Sequence, residues 1–273
     1  MKITYLGTAA AEGFPALFCN CEHCIEARRL GGKNIRTRSQ ALINEDLLID
    51  FPADTYSHFL KNNIPGHKIK YLFVTHSHAD HFYPSDLGMR HGAFAHDMDV
   101  ARLKMYCNRG SAEKYIAHPY VEHFTVDMNE LKAFDTVNAG EYTVTALPAR
   151  HAPGDDALFY IFKGEKTLLY AHDTGCFYDE VFDYIEDSGI VFDLISLDCT
   201  NVDIPIPDDG GHMGIENIIR VVSRIEAIGA SNKQTKIVIN HFSHNASPLH
   251  NKLEERVKEY GYIVSYDGLS IEI

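Results

Sequence analysis

The stretch Val74 to Phe82, VTHSHADHF, places His76, His78, Asp80 and His81 within six positions. It follows IKYLFV, a short apolar, β-branched run of the kind that forms a buried strand. Side chains at the end of a buried strand are held by the core. Whatever this chain folds into must therefore carry a cluster of ligating groups at a sheet edge. Imidazole nitrogens and carboxylate oxygens suit zinc, manganese or iron. His76 and His78, two positions apart on an extended loop, can point at one ion, which leaves Asp80 and His81 to face a second.

Two ions need more ligands than one loop supplies, so partners are expected at other strand ends. His151 follows YTVTALPA, Asp173 follows TLLYA and His241 follows KIVI, each at the end of a β-rich segment. Further strand-like runs are KITYLG, SQALINEDLLIDF with a turn at Asn44 to Asp46, ALFYIFKGEKTLLYAHD with a turn at Lys163 to Lys166, DLISLDC, and YIVSYDGLSIEI with a turn at Asp267 and Gly268. Helical spacing of apolar residues marks DTYSHFLKN, DEVFDYIEDS, IENIIRVVSRIEAIG and SPLHNKLEERVKEYG, the last two stopping at glycine. Two β-rich halves with helices between them predict an α/β fold, an αββα sandwich of two mixed sheets packed face to face with helices outside. No repeat or linker divides the chain, so a single domain over residues 1–273 is expected.

CNCEHC supplies Cys19, Cys21 and Cys24, three thiolates of a tetrahedral site that lacks a fourth ligand. Three clustered cysteines in a cytosolic chain point to metal rather than to disulfides. His23 lies inside the cluster with little slack to fold back. His244, three residues after His241, is the better fourth ligand, so that one loop would serve two sites.

The formal net charge of −13 argues against a large nucleic-acid footprint, which needs clustered Lys and Arg. No apolar run reaches the length of a membrane span, and the first residues do not resemble an export signal, so a cytoplasmic protein is expected.

The order HxHxDH, a single His, an Asp followed by Thr-Gly, and a final His resembles the metallo-β-lactamase fold superfamily, from Gly7 to His241. The resemblance implies a two-metal site between the sheets. His76, His78 and His151 would hold one ion, Asp80, His81 and His241 the other, with Asp173 bridging; the ions would be zinc or manganese. Asp50, in LLIDFP, matches an early aspartate that orients a ligand histidine. Two divalent ions about 3.5–4 Å apart share a water whose pKa falls toward about 7, which is hydrolytic chemistry. The cysteine cluster after GTAAAEGFP, the paired histidines of HFSHN and the LDC before Thr200 resemble the PhnP-like phosphodiesterase branch, an accessory hydrolase of the carbon-phosphorus lyase pathway. That likeness implies a structural zinc on Cys19, Cys21, Cys24 and His244. It also implies hydrolysis of a small cyclic phosphodiester of the phosphoribosyl 1,2-cyclic phosphate type, and it hints at a homodimer.

His212, after Gly210 and Gly211 and ahead of a helix, is expected to act with Asp80 in catalysis, as general acid or phosphate contact. The segment GMRHGAFAHDMDVA departs from the resemblance, and its His91 and His96 take no role. Three other readings compete: a ribonuclease Z-like tRNA 3′ endonuclease, a PqqB-like oxidative enzyme, and a lactonase or thioesterase.

Overall fold

Strands in the middle of each sheet are buried on both faces, which explains why they read as continuous apolar runs rather than as alternating ones. The computed structural model describes all 273 residues. One sheet contains β1 (Lys2–Gly7), β2 (Gln40–Ile43), β3 (Leu47–Ile49), β4 (Tyr71–Val74), β5 (Leu103–Cys107), β6 (Val126–Glu130) and β14 (Leu269–Glu272), in the order β14-β1-β2-β3-β4-β5-β6. The other contains β7 (Thr136–Ala139), β8 (Tyr142–Pro148), β9 (Leu158–Lys163), β10 (Thr167–Ala171), β11 (Leu194–Asp198), β12 (Lys236–Asn240) and β13 (Ile263–Val264), in the order β13-β12-β11-β10-β9-β8-β7.

The inner faces meet in one apolar layer that includes Ile3, Tyr5, Ile43 and Phe73 from the first sheet and Val144, Tyr160, Tyr170 and Val238 from the second. Helices α1 (Glu22–Leu30), α2 (Thr55–Asn62), α3 (Arg109–Ile116), α4 (Asp179–Ser188), α5 (Ile215–Ala227) and α6 (His250–Val257) complete the chain's regular structure. Helix α5 buries Ile215, Ile218, Val221, Val222 and Ile225, a stripe three and four apart, in the layer outside the second sheet. This is the αββα sandwich that the strand pattern predicts.

The hairpins β2–β3 and β9–β10 turn where expected. YIVSYDGLSIEI does not form one. Strand β13 pairs with β12 in the second sheet, whereas β14 pairs with β1 in the first. The turn between them is pinned to the first sheet: Asp267 accepts from the backbone N–H of Thr37 at 2.7 Å and from Thr8 Oγ1 at 2.7 Å, and the Gly268 N–H donates to the Tyr5 carbonyl at 2.7 Å. Strands β5, β6 and β7 and helices α1 and α3 are elements that the sequence reading did not locate. No helix is long and apolar enough to cross a membrane.

Strand direction places the functional groups. Strands β3 and β4 run parallel, β10, β11 and β12 run parallel, and β8 shares their direction because both β8 and β10 are antiparallel to β9. The C-terminal ends of these strands are where an α/β sheet offers its loops to a ligand.

Phe73, fully buried on β4, stacks on Tyr106 at 4.7 Å and meets Tyr160 and Phe162 of the opposite sheet edge-on, each at 5.4 Å between centroids. Phe73→Ala is expected to lower unfolding free energy by about 3–5 kcal/mol, read from denaturant titration.

Candidate metal centre

Each ligand-bearing loop begins where a strand runs out, and at three of these points the backbone turns left-handed. Asp50 after β3 has φ 65°, Asp173 after β10 has φ 51°, and His241 after β12 has φ 63°. Such angles are uncommon outside glycine, and a non-glycine residue held there costs on the order of 1–3 kcal/mol. All three side chains enter the same cluster.

The structure brings together every active-site residue singled out in the sequence. The donor atoms of His76, His78 and His151 lie within 4.8 Å of one another, as do those of Asp80, His81, Asp173 and His241. His151 Nε2 is 3.3 Å from His78 Nδ1, and His81 Nε2 is 3.3 Å from His241 Nε2. Asp173 faces both groups, with Oδ2 at 2.5 Å from His81 Nε2 and 3.5 Å from His76 Nε2, and Oδ1 at 3.9 Å from His151 Nε2.

This donor set fits divalent cations. His76 Nε2 is buried without any hydrogen-bond partner. His81 Nδ1 donates to Asp50 Oδ2 at 2.7 Å and His241 Nδ1 donates to Thr200 Oγ1 at 2.9 Å. Their Nε2 atoms therefore face each other at 3.3 Å, both turned toward Asp173, in a buried space whose geometry suits a shared cation. Without a cation, burial pushes the imidazoles of His76 and His151 down, keeping them neutral and able to ligate. Burial also opposes charge on His81, but the Asp173, Asp50 and Asp80 carboxylates outweigh it and push that imidazole up. Burial alone would raise the Asp80 and Asp173 carboxyls, and the facing histidines hold both below their ordinary value instead. A metal entering here displaces a proton.

Asp50 lies directly against His81. Fully buried, it accepts from the N–H and hydroxyl of Thr75 at 2.8 and 2.9 Å as well as from His81. The second sheet reinforces the loop's root, since Tyr160 OH donates to the Val74 carbonyl at 2.6 Å.

His212 reaches the same cluster from a different turn. A Cβ on Gly175 would lie 1.8 Å from the Gly210 carbonyl oxygen, so glycine permits the close approach that sets the His212 turn beside Asp173. His212 Nδ1 is 3.0 Å from Asp198 Oδ2 and 3.2 Å from Asp173 Oδ1. Burial disfavours its charge, but the Asp198 and Asp173 carboxylates more than offset this and raise it to about 9. Asp198, noted in the sequence only within LDC and without a role, stands at the end of β11 and obeys the same strand-end rule. Fully buried, it also accepts from the backbone N–H groups of Thr200 at 3.0 Å and Met213 at 2.9 Å. An open cleft of about 510 Å³ lies over the cluster, lined among others by His78, His151, Gly211 and His212.

Cys19, Cys21, Cys24 and His244 form a separate group with donor atoms within 4.8 Å. His244 Nδ1 is 3.7 Å from Cys24 Sγ and 3.9 Å from Cys21 Sγ, whereas His23 Nδ1 faces Ser247 Oγ at 2.9 Å. Backbone N–H groups of Ala16 and Cys21 donate to Cys24 Sγ and Cys19 Sγ, and the His244 contact followed by the Cys24 backbone brings the Cys21 thiol down to about 6. Thiolates accepting backbone hydrogen bonds suit a structural zinc site. His91 and His96 are exposed and belong to neither cluster.

Asp50→Ala is expected to weaken metal binding at the inner cluster about 10–100-fold, measured by competition with a chromophoric chelator.

A family described as beta-lactamase superfamily domain matches residues 47–242. No curated protein matches the sequence. Among solved structures, a diphosphatase from the PhnP family superposes with a TM-score of 0.77 at 21% identity, covering 100% of this chain and 97% of that one. Zinc-bound PqqB from Methylobacterium extorquens gives a TM-score of 0.77 at 16% identity, covering 100% of both chains. The short form of human tRNase Z gives 0.70 at 16% identity, covering 100% of this chain and 99% of that one. At these identities the likeness is one of fold.

Proposed function

The chain belongs to the beta-lactamase superfamily, and on that premise we propose that it is a metal-dependent phosphodiesterase acting on a small, cyclic phosphodiester, working as one hydrolase domain over residues 1–273. His76, His78 and His151 would hold one divalent ion, zinc or manganese, and Asp80, His81 and His241 a second, with Asp173 between them. Cys19, Cys21, Cys24 and His244 would hold a structural zinc. When bound, the paired ions supply Lewis acidity and a water acidic enough to attack at neutral pH.

The residues of the chain do the rest. Asp50 and Thr200 fix the far nitrogens of His81 and His241. Asp80, kept ionised, has a second carboxylate oxygen with which to orient the attacking water. The observation that carries the reading is the buried Asp198 beneath His212. It occupies Nδ1, leaves Nε2 for the cleft, and favours a proton on the ring. An imidazole held by a carboxylate at Nδ1 and open to the cleft at Nε2 suits delivery of a proton to an alkoxide, which leaves poorly unless it receives one. The PhnP-family diphosphatase among the similar folds supports phosphorus rather than carbon as the centre attacked. The net charge of −13 disfavours the tRNA endonuclease reading.

Elemental analysis of the purified protein is expected to find about three metal ions per chain. Hydrolysis of bis-p-nitrophenyl phosphate should be lost in Asp80→Ala. One or two ions and no diesterase activity with any added divalent ion would instead favour the oxidative or acyl-ester readings. His212→Ala should lower kcat by ~10²–10⁴; unchanged turnover would remove His212 from the reaction.

A further inference from the structure

We propose that Asp155 and Lys114 are positioning residues for the ion of His76, His78 and His151, acting through the peptide of Ser77. This rests on the two-ion reading above and adds to it. Ser77 stands between two of the three ligands, and each of its polar groups is held. Its N–H donates to Asp155 Oδ2 at 2.8 Å and its hydroxyl to Asp155 Oδ1 at 2.7 Å. Its carbonyl accepts from Lys114 Nζ at 2.7 Å. The same ammonium donates to the Phe82 carbonyl at 2.7 Å, so one lysine of α3 spans the ligand loop from its start to the residue past His81.

Asp155 also belongs to the third ligand's loop, four residues beyond His151. Its own carbonyl accepts from Asn108 Nδ2, while Asn108 Oδ1 caps α3 by accepting from the Ser111 N–H at 3.1 Å. Gly110 makes room for this junction, because a Cβ there would sit 1.7 Å from Asp155 Oδ1. A single carboxylate thus ties the loop of His76 and His78 to the loop of His151, with α3 as the rigid support. Neither Asp155 nor Lys114 is among the groups whose donor atoms converge on an ion position. Asp50 touches His81 directly and His76 only through Thr75, whose hydroxyl lies 3.0 Å from His76 Nδ1, so Asp155 and Lys114 are the supports particular to the Ser77 peptide.

The consequence is selective. Loss of the clamp should loosen the ion of His76, His78 and His151 and leave the other inner ion and the thiol site as they were. The test is stepwise chelator competition on zinc-loaded wild type, Asp155→Ala, Lys114→Met and Gly110→Ala, with thermal unfolding recorded alongside. The glycine variant displaces Asp155 without removing a polar group. One inner ion is expected to bind about 10–100-fold more weakly in each variant. Lys114→Arg, which keeps donors for both carbonyls, should restore it. Phe73→Leu serves as a destabilised control and should shift unfolding without singling out one ion. Equal weakening of both inner ions, or unchanged affinities in folded variants, would overturn the clamp while leaving the two-ion reading intact. A wild type that holds fewer than two inner ions would overturn both. If Asp155→Ala does not fold, Ser77→Ala, which removes only the hydroxyl contact, is expected to give a smaller loss at the same ion.

Discussion

The carboxylate of Asp173 is the contact on which the rest of the site depends. It is almost fully buried, and it meets His76, His81 and His241 through one oxygen and His151 and His212 through the other. An isolated carboxylate in such a place would be very costly to bury, and five surrounding imidazoles cannot all be charged. The arrangement suits a framework for cations. The donor pattern, the orphaned His76 nitrogen and the convergence of His81 and His241 on Asp173 all agree with that role.

Placing those groups sets conditions on the backbone. Three residues that serve the cluster sit in left-handed turns, and two of them are compensated by local hydrogen bonds. Asp50 gains the Thr75 N–H and hydroxyl, and the His241 carbonyl accepts from Thr200 Oγ1 at 2.8 Å. Rigid sheets make this workable, because the strands ahead of each turn are buried on both faces and cannot yield. Stability resides in the layers and strain at their rim, which is the division expected where geometry serves chemistry.

What could be read from the sequence follows from the same physics. Polar groups in the loops that follow buried strands announce themselves, so the convergence of His76 to His81, His151, Asp173 and His241 was legible, as was the grouping of the thiols with His244. Strands β6 and β7 were not, because they lie at sheet edges and carry the exposed, polar residues of VDMNE and TVNA. Helix α1 buries only Cys24 and Ala27 and shows little apolar stripe. The turn at Asp267 looks the same whether the chain folds back or crosses between sheets, and only its contacts with Thr8 and Thr37 decide. Asp155 lies in APGDD, which reads as a polar loop. Its part emerges only when Gly110 and Ser77, distant in sequence, meet it.

The crossing from β13 to β14 also dictates the order in which the molecule can form. The second sheet is complete in sequence from β7 to β13, but the first begins with β1 and is finished by β14, with Lys2 paired to Glu272. During synthesis the first strand must wait for almost the whole chain before its outer neighbour emerges. Pairing across so long a separation is entropically slow. Until then β1 presents an open edge, a template for pairing with other chains. The second sheet is itself complete only with β13 at Val264, so neither sheet can close before that point, and the rim that gathers His76 to His81, His151, Asp173 and His241 is among the last parts of the molecule to mature.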